Sequence, residues 1–276
     1  MKKISLLLNA LILGATSINA QIPAHYYDSA GNKTGYTLKT ALFNIIKNPQ
    51  VQSYKSLWQS FKSTDTKSDT ILDMYSLPPL QGRINPYYFI YKTNQCGNYR
   101  QEGDCYNREH SFPASWFKDK SPMYTDLFHI YPTDGYVNSK RSNYPYGKAD
   151  KIVLYPSQNG SKLGYSNTNS IFGADIIVFE PIDAFKGDFA RTYFYMATCY
   201  QDKIAGWKNN GEAKYVLAGN DSTVYQPWYI KLLLQWHKND PVSQKEIDRN
   251  NEVYKIQKNR NPYIDSAVYV NRIWGY

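Results

Sequence analysis

Apolar residues recur along this chain at the spacing of buried helical faces. In residues 37–46 they fall three and four positions apart, which is the repeat of an amphipathic helix. Thr37 stands where a capping side chain would begin that helix. The same reasoning predicts helices over residues 52–61, 188–202, 227–238 and 243–257.

Shorter apolar runs predict strands over residues 71–75 and 87–91, separated by a loop rich in proline and glycine. A further strand is predicted over residues 126–131, followed by a helix that Thr133 would cap and whose positive end Asp134 would face. These elements follow one another without an internal repeat or a low-complexity linker. We therefore predict one mixed α+β domain over residues 21–276, with two lobes flanking a cleft as the alternative.

The first 20 residues have the pattern of an export signal. Lys2 and Lys3 precede an apolar run, and Ala20 offers a small residue before a cleavage point. No later stretch approaches the roughly 20 apolar residues that a membrane helix needs. We therefore expect a secreted or periplasmic protein without a membrane anchor.

The charge balance favours a polyanionic partner. The 276-residue chain has a formal net charge of +9, and loss of Lys2 and Lys3 with the signal would leave +7. Attraction to phosphates does not depend on base sequence, so this charge fits a nucleic-acid partner. A basic surface that only confers solubility would have the same composition. The 27 Tyr, 11 Phe and 6 Trp residues offer surfaces for base stacking as well as a core.

The strongest chemical signal is the adjacent pair Glu109 and His110. A histidine near its ordinary pKa of about 6.5 can accept a proton from water, and carboxylate oxygens are ligands that Mg²⁺ prefers. Neighbouring strand residues point to opposite faces, so the pair can share a site only where the strand gives way to an irregular turn. Residues 111–113, which end in proline, supply such a break.

Asn138 and Arg141 complete the candidate site. They are three positions apart in the predicted helix and should lie on one face. An amide oxygen can be a second cation ligand, and a guanidinium can bind the same phosphate through two hydrogen bonds. One cation beside one general base is a combination that hydrolyses phosphodiesters.

Three ordered motifs resemble one known family. They are CYNREHSFPASWF (residues 105–117), DLFHIYPTDGYVNSKRSNYPYG (residues 126–147) and FEPIDAFKGDFARTYFYMATCY (residues 179–200). Together they resemble the bacterial endonuclease I family of secreted nucleases, and the resemblance extends from about Tyr26 to the C-terminus. It implies a fold built around the ββα-metal core, also called the His-Me finger.

The resemblance also implies a role for each matching residue. Glu109 and Asn138 correspond to the metal ligands and His110 to the general base. Mg²⁺ is the expected cation, with Mn²⁺ and Ca²⁺ as alternatives. His110 would activate water for attack on phosphorus, and the cation would stabilise the leaving 3′ oxygen. The implied enzyme is a largely sequence-non-specific endonuclease of DNA and/or RNA that leaves 5′-phosphates. We expect this protein to be a monomer.

This chain departs from the wider family in two respects. Many members have a histidine where this chain has Phe128. Some also insert a loop with a phosphate-neutralising arginine, which has no clear counterpart between His110 and Asp126. Arg141 is the first candidate for that role and Arg108 the second. Lys140 is a further candidate for contact with the substrate backbone.

The three cysteines fit an oxidising compartment. Cys96 and Cys105 flank a polar loop that leads into the segment of Glu109 and His110, and we expect them to form a disulfide that stiffens this approach. Cys199 lies in an aromatic helical stretch and is expected to be a buried free thiol.

Two other classes of function stay open. A metal-dependent phosphodiesterase of small or lipid phosphoesters would use the same ligands, and a non-catalytic nucleic-acid-binding protein would share the charge. Several other polar residues are expected to support the fold or the surface rather than the chemistry. These are His25, His129, Glu180, Asp188, Arg191, His237 and Arg260.

Overall fold

The computed structural model describes residues 22–76 and 87–275. The predicted export signal and the predicted loop over residues 77–86 lie outside them. The helices are α1 (Gly35–Ile46), α2 (Leu57–Thr64), α3 (Gly135–Arg141), α4 (Asn169–Phe172), α5 (Lys186–Cys199), α6 (Pro227–Asn239), α7 (Gln244–Gln257), α8 (Pro262–Asp265) and α9 (Val268–Trp274). The strands are β1 (Thr66–Lys67), β2 (Thr70–Ile71), β3 (Phe89–Ile90), β4 (Tyr106–His110), β5 (Ile130–Asp134), β6 (Val153–Pro156), β7 (Lys162–Ser166) and β8 (Ile176–Glu180).

The described strands form small antiparallel sheets, in the orders β1-β2-β3, β4-β5 and β6-β7-β8. In the pair β4-β5, Glu109 lies opposite Tyr131 and His110 opposite Ile130. Helix α3 follows β5 directly and packs against both strands. This strand–strand–helix unit carries the candidate residues, and the prediction of a single mixed α+β domain is confirmed.

Helix α5 lies at the centre of the main hydrophobic core. Its residues from Gly187 to Cys199 are all buried, and it packs against α1 and α6. Arg191 in its middle donates to the two carboxylate oxygens of Glu246 at 2.5 and 2.8 Å, so the buried charge has a charged partner. Arg191 therefore supports the fold, as predicted.

The other residues that were expected to be structural are also accounted for. Arg260 donates to both carboxylate oxygens of Asp265 at 2.6 and 2.7 Å, and Asp188 forms an ion pair with Lys245. Glu180 pairs with Lys186 at 2.7 Å. His237 is buried beside Arg191, and His25 is an exposed residue paired with Asp28.

The three helices predicted in the C-terminal half are confirmed, with bounds that differ by up to three residues. The start of α7 shows the local cause. Ser243 accepts a hydrogen bond from the Glu246 backbone while the Glu246 side chain accepts one from the Ser243 backbone, which satisfies two otherwise free amides. Within residues 22–76 and 87–275, no helix is long and apolar enough to cross a membrane.

The predicted start of α1 was wrong. The helix begins at Gly35 with Thr34 at the cap position, and the Thr37 hydroxyl instead donates to the Thr34 carbonyl at 2.7 Å from within the first turn. Helix α2 likewise begins at Leu57, later than the predicted residue 52.

The predicted strand over residues 126–131 was also displaced. The Asp126 carboxylate accepts a hydrogen bond from the Phe128 backbone N–H at 2.9 Å, which is a local turn that competes with extended structure. Strand β5 therefore begins at Ile130 and includes Thr133. Asp134, not Thr133, caps α3 by accepting from the Val137 N–H at 2.8 Å.

A similar turn shortens the strand that was predicted over residues 71–75. Asp73 accepts from the Tyr75 N–H at 2.9 Å and from the Ser76 hydroxyl at 2.5 Å, and β2 ends at Ile71. Only two residues of the predicted strand over residues 87–91 form β3. The turn carries the Tyr75 ring into the core beneath β4.

Candidate active site

Strand β4 turns one face toward helix α3. Asn138 donates from Nδ2 to Asn107 Oδ1 at 2.7 Å, and Arg141 donates from Nη1 to Glu109 Oε1 at 2.6 Å. Asn107 and Glu109 are two positions apart, as residues on one face of a strand must be. Asn138 and Arg141 therefore share one face of α3, as their spacing predicted.

Glu109 is almost completely enclosed, with 3% of its surface exposed. The Tyr75 hydroxyl donates to Glu109 Oε1 at 2.5 Å and lies 2.9 Å from the Tyr146 hydroxyl. Burial raises the pKa of the Glu109 carboxyl, whereas the Arg141 guanidinium and the Tyr75 hydroxyl oppose that shift. Both of these donors meet Oε1, so they fix the rotation of the carboxylate.

Arg141 lies in the protein interior, 1% exposed. Besides Glu109, its Nη1 donates to the His110 carbonyl at 2.8 Å, its Nη2 to the Ser111 carbonyl at 2.6 Å and its Nε to the Tyr144 carbonyl at 3.1 Å. All three nitrogens thus donate to protein oxygens. These surroundings suit a residue that holds the end of β4, and they differ from the exposed phosphate contact that the sequence suggested.

His110 points to the other face of β4, among aromatic rings. Its Nε2 lies 3.1 Å from the Tyr124 carbonyl oxygen, and its ring stacks on Tyr124 with centroids 4.9 Å apart. Burial lowers the pKa of His110 to about 3, so the ring is neutral near pH 7. A carbonyl oxygen only accepts hydrogen bonds, so Nε2 carries the proton and Nδ1 keeps its lone pair.

Glu109 and His110 therefore have different neighbours. The predicted break does follow at Ser111, but β4 extends through His110, so the two side chains keep the opposite directions of strand neighbours. Arg141 connects them, because it bonds to the Glu109 carboxylate and to the His110 backbone carbonyl. A substrate that contacts both side chains must lie across the end of β4.

Comparison with known proteins shows the family to which this chain belongs. Residues 34–268, which include this site, match the family described as Endonuclease I. The chain belongs to the endonuclease I family.

Individual relatives of this endonuclease I family protein are nucleases from bacteria. It is 33% identical over 254 residues to an extracellular ribonuclease of Bacillus amyloliquefaciens, covering 90% of this chain and 78% of the relative. It is 30% identical over 149 residues to an endonuclease-1 of Buchnera aphidicola, covering 53% of this chain and 49% of the relative. A periplasmic deoxyribonuclease of Aeromonas hydrophila is 24% identical over 153 residues, which are 52% of this chain and 48% of the relative. These matches support a secreted nuclease that acts on nucleic acid.

The oxygen donors of this endonuclease I family member fit a hard divalent cation. Because Asn138 Nδ2 is bonded to Asn107, Oδ1 is the atom that Asn138 can offer to a metal. Glu109 Oε1 accepts hydrogen bonds from Tyr75 and Arg141. Oε2 of Glu109 is therefore the second oxygen that the site can offer to the metal. Among the described residues, no cluster of three or more His, Cys, Asp or Glu side chains could hold a metal. Two protein oxygens completed by water and phosphate are a typical Mg²⁺ environment.

The two candidate substrate contacts lie on opposite sides of the strand–strand–helix unit. Arg108 has its guanidinium carbon 3.5 Å from the Tyr54 ring centroid and 4.3 Å from that of Trp58. Lys140, near the end of α3, has its ammonium 4.8 Å from the Tyr136 ring centroid. Both side chains are half-buried.

The cysteines have the states that the sequence indicated. Cys96 and Cys105 form a disulfide with Cα atoms 5.7 Å apart, and Cys105 directly precedes β4. Cys199 is free and buried.

His129 is fully buried with its Nε2 2.6 Å from the Met123 carbonyl oxygen, and Phe128 packs on Tyr195 with ring centroids 4.7 Å apart. Both residues therefore belong to the core.

Several residues around the site had not been found from the sequence. Asn107 could have been, because it lies two positions before Glu109 on the same predicted strand face. Tyr75 and Tyr124 gave no comparable signal. They are distant in sequence or lie in an irregular connection, and their roles depend on tertiary contacts.

Proposed function

We propose that this protein is an exported, metal-dependent and largely sequence-non-specific endonuclease that hydrolyses phosphodiester bonds of DNA and/or RNA to leave 5′-phosphates. The observation that carries the proposal is the 3.1 Å contact between His110 Nε2 and the Tyr124 carbonyl oxygen, which directs the Nε2 proton to Tyr124 and leaves Nδ1 with a lone pair. Family membership and the names of the relatives support the substrate class.

His110 acts as the general base. Its Nδ1 accepts a proton from the water that attacks phosphorus, and the resulting imidazolium is stabilised by the Nε2 hydrogen bond to Tyr124. The lowered pKa keeps Nδ1 free at neutral pH but makes it a weak base in the free protein. A phosphate bound across the end of β4 would bring negative charge to the ring and raise that pKa.

Glu109 and Asn138 hold the cation, Mg²⁺ in the first instance and Mn²⁺ or Ca²⁺ as alternatives. When bound, the cation supplies positive charge to the scissile phosphate and the leaving oxygen. Asn107 orients the Asn138 amide, and Tyr75 orients the Glu109 carboxylate. Partners of this kind tune metal affinity without touching the metal.

Arg141 is a positioning residue in this scheme. It fixes Glu109 and the backbone on both sides of the His110–Ser111 peptide. Phosphate contacts are assigned to Arg108 and Lys140, whose side chains are less enclosed than Arg141. Export to the periplasm or the medium is supported by the extracellular and periplasmic relatives.

The proposal is tested by incubating the purified protein with plasmid DNA and a structured RNA, with Mg²⁺ and with excess EDTA. We expect cleavage only with Mg²⁺ and a fall of ~10²–10⁴-fold in His110→Ala, the contribution typical of a general base. His25→Ala is the matched control, because this histidine is exposed and its ion-pair partner is Asp28, which is not a residue of the candidate site.

Two results would contradict the proposal. Cleavage that survives EDTA would remove the metal from the mechanism. Full activity in a folded His110→Ala protein would remove His110 as the base. Intact polymers together with hydrolysis of a small phosphodiester such as bis(p-nitrophenyl) phosphate would instead establish the alternative enzyme class.

A further inference from the structure

A cavity of about 410 Å³ lies beside β4, on the side away from β5. This volume falls within the range of about 300–1,000 Å³ that is usual for small-ligand sites. Its walls come from α2 and the segment before it, from the loop that precedes β4 and from β4 itself. The lining includes Tyr54, Trp58, Gln95, Gly97, Asn107 and Arg108.

The cavity borders backbone groups of β4 that do not pair with β5. The Tyr106 N–H donates to the Asn94 carbonyl at 2.9 Å, and the Tyr106 carbonyl accepts from the Cys96 N–H at 3.2 Å, so the Tyr106 backbone faces away from β5. Backbone direction repeats every two residues in an antiparallel strand. The N–H and C=O of Arg108 therefore face the cavity side.

The side chain of Arg108 brings a positive charge to this cavity. Its Nη1 donates to the Tyr54 carbonyl at 2.6 Å, and the guanidinium lies on the Tyr54 and Trp58 rings. Its Nε is buried and has no hydrogen-bond partner among the described residues. A positive charge that is held in place at the cavity wall is suited to an anionic ligand.

Gln95 and Asn107 add two primary amide groups to the lining of the cavity. Primary amides offer a donor and an acceptor side by side, which is how proteins recognise the edge of a base. Asn107 uses Oδ1 for Asn138, so its Nδ2 is available as a donor. No aspartate or glutamate is among the lining residues, so nothing there repels a phosphate.

The side chain of Asn107 connects the cavity to the candidate metal site. Asn107 lines it and directly contacts Asn138, the proposed metal ligand. A nucleotide in the cavity would therefore be a near neighbour of the phosphodiester held at Glu109 and Asn138. This connection distinguishes the cavity from three other surface depressions, which lie on different elements.

We propose that this cavity binds one unpaired nucleotide of the substrate strand, next to the cleaved bond, with its phosphate on Arg108 and its base edge on Gln95 and Asn107. The proposal rests on the nuclease function given above and adds a substrate class to it. Bases in a duplex are stacked and paired, so they can enter a pocket only when they leave the helix. Single strands and unpaired regions are therefore the preferred substrates.

The test measures binding rather than cleavage. It uses His110→Ala protein in EDTA, a labelled 12-nucleotide single strand and the blunt duplex of the same sequence, with fluorescence anisotropy as the readout. We expect the single strand to bind about 10-fold more tightly than the duplex. Gln95→Ala in this background should remove most of that difference, because it deletes a base contact without changing the charge.

Two further variants define the contribution of charge. Arg108→Gln should weaken single-strand binding by about 10-fold or more. Lys255→Gln on α7 removes the same charge from an exposed site that is paired with Glu252, and it should leave the preference for single strands intact. Circular dichroism of each variant checks that it folds.

The results separate this inference from the nuclease proposal. Equal affinity for both strands, or a Gln95→Ala protein that keeps the full preference, would overturn the nucleotide site. If the preference exists and depends on Gln95 but no polymer is cleaved in Mg²⁺, the nucleotide site stands and the catalytic proposal fails.

Discussion

The Tyr75 hydroxyl donates a 2.5 Å hydrogen bond to Glu109 Oε1 from a position buried under β4. Arg141 approaches the same oxygen. Two donors on one oxygen leave the carboxylate a single favourable rotation, so the direction of Oε2 is set by residues that do not touch the substrate. The affinity of the proposed cation should therefore depend on Tyr75.

Replacing Tyr75 with Phe tests this dependence. We expect a 10–100-fold weaker affinity for Mg²⁺ or Mn²⁺, the usual effect of losing a partner that orients a metal ligand. The unfolding free energy should fall by about 1–3 kcal/mol, because the Tyr146 hydroxyl loses its neighbour. Calorimetric titration with Mn²⁺ measures the affinity directly, and the Mg²⁺ concentration for half-maximal cleavage measures it in turnover.

Tyr225→Phe is the matched control for that change. Its hydroxyl also donates a buried hydrogen bond, to the Tyr193 carbonyl at 2.6 Å, but not to Glu109. We expect a comparable loss of stability without a change in metal affinity. Equal metal affinity in Tyr75→Phe and wild type would show that Tyr75 is only a packing residue.

The protonation of His110 gives a prediction about pH. Burial lowers the pKa of its ring to about 3, whereas an unfolded chain has the ordinary value of about 6.5. The ring should therefore stay neutral from pH 7 to pH 5 in the free protein, with its proton on Nε2. Long-range ¹H–¹⁵N spectra of the histidine rings report this state, and a titration midpoint near 6.5 would contradict the buried geometry.

The same difference has a consequence for stability. A histidine whose pKa is lowered on folding stabilises the protein above the unfolded value, and that contribution is lost as the pH falls from about 6.5 toward the folded value. His110 and His129, with pKa values lowered by burial to about 3 and 4, both contribute in this direction. Buried carboxyls such as Asp73, whose pKa burial raises to about 7, act in the opposite direction.

Three kinds of interaction hold strand β4 in place. β5 pairs with it along its full length, α3 binds its Asn107 and Glu109 side chains, and the Cys96–Cys105 disulfide fixes the loop that precedes it. That loop also supplies part of the proposed nucleotide cavity. The disulfide should therefore matter both for stability and for nucleotide binding.

Replacing Cys96 and Cys105 with Ser tests the disulfide. The two cysteines are nine positions apart, and closing a loop of that size contributes about 2–4 kcal/mol to stability. Urea unfolding should show that loss, and reduced wild type should behave like the variant. The variant itself should not respond to reductant. A loss below about 0.5 kcal/mol would show that β5 and α3 alone hold the segment.

The long helices were predictable because their cause is local. α7 begins with a capping box formed by Ser243 and Glu246, and both residues can be read in the sequence. Strand β5 was displaced because the Asp126 side chain binds the Phe128 backbone. An apolar run alone does not reveal that competition between turn and strand. Its register depends on pairing with β4, which is a contact between distant segments.

In the candidate site, too, some features were predictable from the sequence and others were not. Glu109, His110 and Asn138 were selected from the sequence because each is of a residue type that suits its proposed role and stands at a recognisable position. The surroundings of Arg141 were not predictable, since its partners include the carbonyl groups of His110, the last residue of β4, and of Ser111, which follows it. Spacing placed Arg141 on the correct helical face but could not tell a buried ion pair from a contact with phosphate.

For the whole molecule, the excess of basic residues has a measurable meaning. A formal charge of +9, or +7 without Lys2 and Lys3, attracts nucleic acid over a long range, and salt screens that attraction. Binding should therefore weaken linearly in a plot of log K against log salt concentration, with a slope that reflects the number of phosphates contacted. Net charge and local contact make different predictions for that slope.

Substitution of Lys140 distinguishes the effect of net charge from that of a local phosphate contact. Lys140 lies on α3 with Asn138, and its ammonium is within 4.8 Å of the Tyr136 ring centroid. If Lys140 contacts a phosphate, Lys140→Gln should reduce the slope by about one and weaken binding equally for single and double strands. Lys255→Gln removes the same charge from α7 and should leave the slope unchanged. Binding of a labelled oligonucleotide to His110→Ala protein at several salt concentrations measures both. An equal change in the two variants would mean that total charge, and not a contact at α3, governs binding, and it would remove Lys140 from the substrate-binding surface.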